Sequence, residues 1–238
     1  MALGYDNRAL GRGAEQALVD EGLRAHMLRV YNYMASGLAL TGIVAYLVAT
    51  TPSLAQAIFG SPLQWVVMLA PIGFVLFLSA RIHRMTFSTA QLTFWVFAGV
   101  MGLSMASIFL VFTGASVARV FFITGGTFAA MSLYGYTTKT DLSRFGSFLI
   151  MGLIGVVIAS IVNIFLASSA LQFAISVIGV LVFVGLTAYD TQRIKETYLE
   201  ADDHETAGKK ALMGALTLYL DFINLFVMLM QLFGQRRD

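Results

Sequence analysis

The chain has 238 residues, 58% hydrophobic and only 12% charged, against about 45–50% and 25% in an ordinary soluble domain. That composition excludes a water-soluble globule, and 15 basic against 13 acidic residues, a net charge of +2, are too balanced for a nucleic-acid binder. With no cysteine in the chain, disulfides, thiolate metal sites and cysteine nucleophiles are excluded too.

Residues 1–29 carry four Arg and four acids and read as a polar tail, since a cleavable signal needs a short basic region followed by an apolar core. Residues 30–234 read as one membrane domain. Seven apolar segments follow in order, at about 30–49, 63–80, 90–112, 117–136, 145–165, 171–190 and 211–233, each close to the ~20 residues of a helical crossing. The uncharged run 145–189 alone is long enough for two crossings. These runs are apolar all round, whereas a β-barrel shows short alternating segments, so the fold class is an all-α membrane protein with seven transmembrane helices. Gly125 and Gly126 in the fourth segment and Gly152 and Gly155 in the fifth are candidates for close helix approach. The three histidines, His26, His83 and His204, fall in the tail or near connections, which leaves no buried bis-histidine haem site.

With the N-terminus inside, 12 of the 15 Lys and Arg lie on the cytoplasmic side and three, Arg119, Arg236 and Arg237, outside, as the positive-inside rule requires. A re-entrant seventh segment would instead return Arg236 and Arg237 to the inside. The stretch 196–210, rich in both charges, reads as a solvated loop.

An ionisable residue inside the membrane is costly and by default a functional candidate. Asp221 lies deep in the seventh segment, and Asp190 lies where the sixth leaves its apolar run. If the sixth helix ends near Tyr198 and the seventh starts near Leu212, the two carboxyls stand about 12 and 13–14 Å from those ends, at one depth. Two carboxylates in a low dielectric do not ionise easily together, so such a pair shares a proton. Protonated, it ties two helices; ionised, it repels and offers oxygens that suit a hard cation such as Ca²⁺. Asn224, three residues after Asp221 on the same helical face, and Tyr219 are candidates for polar support. No third ligand or resident cofactor is indicated.

The blocks LYLDFINLFVMLMQLFG (218–234), LTAYDTQRIK (186–195) and TKTDLSRFGSFLIMGLIG with a later NIF (138–165) resemble the Bax inhibitor-1 family, also called the transmembrane Bax inhibitor motif family, in its bacterial branch. The resemblance covers about residues 25–234. It implies seven helices around a central C-terminal helix, and a pH-sensitive Ca²⁺ leak gated by an aspartate pair, closed when protonated and open when ionised, with an arginine as latch. Asp190 and Asp221 fall on the family's two aspartates, and Arg81 or Arg84 stands where the arginine is expected. Some bacterial relatives carry a glutamate in the second helix, but 66–80 here holds no acid. The resemblance also implies a bacterial inner-membrane location and a role in restraining a membrane protease.

Three readings therefore stand: a Ca²⁺ leak channel, a proton-coupled cation transporter using the same aspartates, and an interaction protein acting on a membrane protease or cell-death machinery. Enzymatic readings are weaker. Asp221 follows Leu218, Tyr219 and Leu220 rather than the Gly-x-Gly of intramembrane aspartyl proteases, no histidine lies within a span to serve a serine nucleophile, and no lysine lies within a span to hold retinal.

Overall fold

The computed structural model describes the backbone of residues 4–237 and the side chains of residues 19–237. The helices are α1 (Gly4–Thr50), α2 (Pro52–Phe59), α3 (Leu63–Arg81), α4 (Phe87–Val111), α5 (Gly114–Thr137), α6 (Ser143–Leu166), α7 (Ser169–Glu196) and α8 (His204–Phe233). Among the described residues, all of these except α2 are long and apolar enough to cross a membrane. The all-α, seven-span expectation matches the structure. Polar punctuation sets several starts: Thr86, Thr113, Ser168 and Asp203 accept the backbone N–H three residues on and cap α4, α5, α7 and α8. At the last of these, hydrogen bonds from Thr206 hold the Asp203 carboxyl below the usual carboxylate range.

The C-terminal helix occupies the centre. Helix α8 packs against α1, α4, α5 and α7, and 67% of its apolar stretch is buried, against 11% for α6, which leans on α7 at the periphery. Phe148, Ile164 and Phe165 on α6 are exposed, which is tolerable because the surrounding solvent is lipid. For the same reason the hydrophobic effect does not hold the helices together, and packing and interhelical hydrogen bonds must.

One such bond follows from a proline. Pro71 within α3 has no N–H to return to the carbonyl of Val67, four residues back. Ser104 of α4 donates its hydroxyl to that carbonyl at 2.5 Å, so the backbone defect in one helix ties it to its neighbour. Ser104→Ala is expected to cost about 1–2 kcal/mol, read as a lower melting temperature in detergent. Ser107→Ala, which removes only a bond to the carbonyl of Ser104 in its own helix, is the smaller-effect control.

Three features differ from expectation. Helix α1 continues on the N-terminal side of Val30, and His26 and Met27 are buried. His26 is therefore not a tail residue: its ring lies 5.7 Å from that of Tyr198, which follows α7. The connection 51–62 contains α2, which starts on a proline and seats Ile58 beside Val48, Val67 and Ala106. Of the four glycines expected at close approaches, only Gly152 is so placed, against Val182 of α7; Gly125, Gly126 and Gly155 face open space.

Helix α8 is continuous rather than re-entrant. Its start lies beside the end of α7, where Lys210 donates to the Thr197 carbonyl at 3.0 Å. Its far end reaches the α4–α5 connection, where Thr113 N–H donates to the Gln235 carbonyl and Arg237 N–H to that of Val111, both at 2.9 Å. Arg236 and Arg237 therefore stand at the opposite end of the bundle from the α7–α8 connection.

Candidate functional site: the aspartate pair between α7 and α8

Antiparallel packing of α7 on α8 sets the register that brings the two acids together. Lys210 meets Thr197, a Cβ at Gly214 would touch Ile194 at 2.9 Å, one at Gly179 would touch Met228 at 2.9 Å, and Ser176 donates to Gln231 at 2.8 Å. Within this series Asp190 and Asp221 face each other, side chain to side chain, within hydrogen-bonding reach. The helix ends differ from the expected ones, since α7 stops at Glu196 and α8 begins at His204. The depth match survives because the interhelical register, and not the terminus, sets which residues meet.

The two acids sit in unlike surroundings. Asp221 is 5% exposed and its Oδ2 is sealed with no hydrogen-bond partner. Asp190 is half-buried and lines a cavity of about 610 Å³ with His83, Arg193, Lys209 and Lys210. A carboxylate offers only acceptors, so the pair makes a hydrogen bond only when one member carries a proton. Ionised together, the two repel across the α7–α8 contact.

Arg193, one turn further along α7, lines the same cavity as Asp190. Arg81 and Arg84, the expected latches, are both exposed and neither lines the cavity; their neighbours Ile82 and His83 do. Lys210 bridges Asp202 at 2.6 Å and Lys209 bridges Glu205 at 2.7 Å, so the stretch 196–210 is an ordered mouth to this cavity rather than a loose loop. Asn224 donates to the carbonyl of Leu220 in its own helix at 2.8 Å. The hydroxyl of Tyr219 pairs with Thr41 at 2.6 Å, and its ring packs edge-on against Phe94 and Phe97. Tyr219 thus ties α8 to α1 and α4, and Asn224 satisfies itself.

Other polar groups beside the pair carry no mark of their role in the sequence, because their partners lie on other helices. Ser132 of α5 bonds both Tyr31 of α1, at 2.7 Å, and Thr191, next to Asp190, at 2.9 Å. Gln192 accepts from Leu142 N–H at 2.8 Å and donates to the Thr140 carbonyl at 2.9 Å. In the block holding Asp190, Thr191 and Gln192 fasten α7 to α5 and the α5–α6 connection.

From the pair toward the other end of the bundle, α8 presents Leu225, Phe226, Leu229 and Met230, all buried, before Gln231. These four side chains lie within the ten-residue step from Asp221 to Gln231, an apolar seal of about 15 Å. The cavity is lined at the α7–α8 connection by Thr197, Thr206, Lys209 and Lys210, and its lining stops short of Asp221. Two carboxyls hold at most four oxygens, fewer than the 6–8 that Ca²⁺ prefers, so an ion here keeps part of its water.

Residues 23–238 match the family described as inhibitor of apoptosis-promoting Bax1. Similar proteins include the uncharacterised protein RP147 of Rickettsia prowazekii, 51% identical over 92% of this chain and 93% of that protein. Another is the inner membrane protein YbhL of Escherichia coli, 47% identical over 91% and 94%, and a Caulobacter vibrioides protein is 45% identical over 92% of each. The chain therefore belongs to the Bax inhibitor-1 family of membrane proteins.

Proposed function

We propose that this chain is a pH-sensitive Ca²⁺ leak of a bacterial inner membrane, closed while Asp190 and Asp221 share a proton and opened when both ionise. The observation that carries this reading is the position of Asp221: a carboxyl buried in the central helix, one oxygen without a partner, facing a second carboxyl that lines a cavity. A fold gains no stability from such an arrangement, so it is kept for what the proton does. Ionisation drives α7 and α8 apart beside the apolar seal and presents oxygens to a hard cation.

The end carrying the α7–α8 connection also collects Arg24, Arg29, Arg81, Arg84, Lys139, Arg144 and Arg193, and this excess of positive charge supports a cytoplasmic side for it and for the N-terminus in this reading. The name of the Escherichia coli relative supports the inner membrane. In this reading the chain is a conduit and not an enzyme, Ca²⁺ is cargo, and no resident cofactor takes part.

Purified protein in liposomes with an internal Ca²⁺ dye tests the reading. Flux is expected to rise from acid to neutral pH. Asp190→Asn is expected to flatten that rise with unchanged protein yield, since the amide donates to Asp221 without needing a proton. A folded protein that moves no Ca²⁺ at any pH overturns the leak and leaves the binding of a membrane protease as the reading to pursue.

The one-sided cavity also suits a proton-coupled transporter, in which the seal would reform on the other side of the pair. A fixed number of protons moved per Ca²⁺ selects the transporter; flux that follows the Ca²⁺ gradient alone selects the leak.

A further inference from the structure

Helices α1 and α5 stand on either side of α8 and leave between them an apolar groove of about 750 Å³, floored by Phe222. A second cavity of about 300 Å³ continues it, sharing Leu38, Phe121 and Phe222. We propose that the larger groove binds one acyl chain of an anionic phospholipid from the leaflet at the α7–α8 end, with the lipid phosphate held at Arg24.

Length, polarity and charge each support this occupant. From Arg24 to Ala39 the groove follows α1 for 15 residue steps, about 22 Å, which is one leaflet of a bilayer about 40–45 Å thick with its headgroups. The hydroxyls in its wall, Tyr31 and Ser132, are satisfied by each other at 2.7 Å. Water entering the groove therefore finds too few partners to stay, whereas a hydrocarbon chain loses nothing. Gly125 lines the groove and a Cβ there would meet nothing within 4 Å, so the α5 wall stays recessed where the chain lies. At the mouth stand Arg24 and Tyr136, with the Lys195 ammonium 5.3 Å from the Tyr136 ring. Two cations and an interfacial tyrosine at the depth of the headgroups favour a phosphate carrying net negative charge.

The test uses the full chain in phosphatidylcholine nanodiscs doped with phosphatidylglycerol, or with phosphatidylcholine, carrying a photoactivatable group at the acyl terminus. Adducts are mapped by peptide mass spectrometry. The phosphatidylglycerol probe is expected to label the α1 and α5 groove segments about fivefold more than the phosphatidylcholine probe, the weight of one interfacial cation. It is also expected to label them above the exposed face of α6. Gly125→Leu should reduce groove labelling to the α6 level. Gly126→Leu, at an exposed glycine whose Cβ also meets nothing, should leave it intact and matches the first variant for any loss of folding. Arg24→Gln should remove the headgroup preference while chain labelling persists. Labelling no higher than on α6, or untouched by Gly125→Leu, overturns the site, and equal labelling by both probes overturns the anionic headgroup. A chain-to-chain crosslink through Met34 or Ala129 in place of a lipid adduct assigns the groove to a second protein helix and also overturns the proposal.

Discussion

Asp221→Asn is expected to close the protein at every pH. The amide is nearly the same size as the carboxyl and donates a hydrogen bond to Asp190 without a titrating proton, so the contact between α7 and α8 becomes permanent. At neutral pH, Ca²⁺ flux through liposomes should fall about tenfold, the equivalent of 1.4 kcal/mol of added latch energy, and its dependence on pH should vanish. Melting temperature should hold or rise, because the buried Oδ2, which has no partner in the native chain, no longer belongs to an ionisable group. Asp221→Ala separates the latch from the mere presence of a side chain. It neither donates nor accepts, leaves Asp190 without its counterpart, and is expected to leak at acid and neutral pH alike. A normal pH response in Asp221→Asn would remove the pair from the gate.

The second large effect lies at Gly135, where a Cβ would fall on the backbone carbonyl of Ala188 across the α5–α7 contact. A clash with the far end of a flexible side chain can be relieved by a rotation, but backbone cannot swing away. Gly135→Ala is therefore expected to cost at least the ~1–3 kcal/mol typical of overpacking, and Gly135→Leu to abolish folded protein. The damage should reach the aspartates, because separating α5 from α7 breaks the bond of Ser132 to Thr191 and that of Lys195 to the Tyr136 carbonyl. Monodisperse yield and melting temperature check this. Gly126→Ala, at an exposed position of the same helix, is the control and should be neutral or slightly stabilising through helix propensity. A Gly135→Leu protein that folds and melts like the native one would mean that the two helices do not approach this closely.

The meeting of the two acids depends on the register between α7 and α8 more than on where each helix ends. Helix α7 ends at Glu196 and α8 starts at His204, yet placing Asp190 and Asp221 at one depth agrees with the contact between them, because α8 extends past the end of α7 by about two turns before Lys210 meets Thr197. The latch shows the opposite case. Resemblance points to Arg81 and Arg84, but the turn that follows α3 places Ile82 and His83 at the cavity, and the arginine that lines it with Asp190 is Arg193. Sequence spacing on one helix says nothing of how a separate helix is rotated.

By itself the sequence determined the class of the protein, the number of its spans and which acids are out of place in them. Long uncharged runs leave a chain in lipid no alternative but to satisfy its backbone within helices, and a short carboxyl side chain deep in such a run cannot reach water. Tertiary structure alone decided which faces of those helices meet. It placed Ser104 on the carbonyl freed by Pro71, buried His26 beside Tyr198, set Gly135 against Ala188, and turned Gly125 toward a groove. The physical reason is that lipid and protein interior are about equally apolar, so a membrane helix carries no strong stripe to mark its inner face. Which side of each helix is buried is settled by shape and by a few hydrogen bonds, and these exist only once the partner helix is in place.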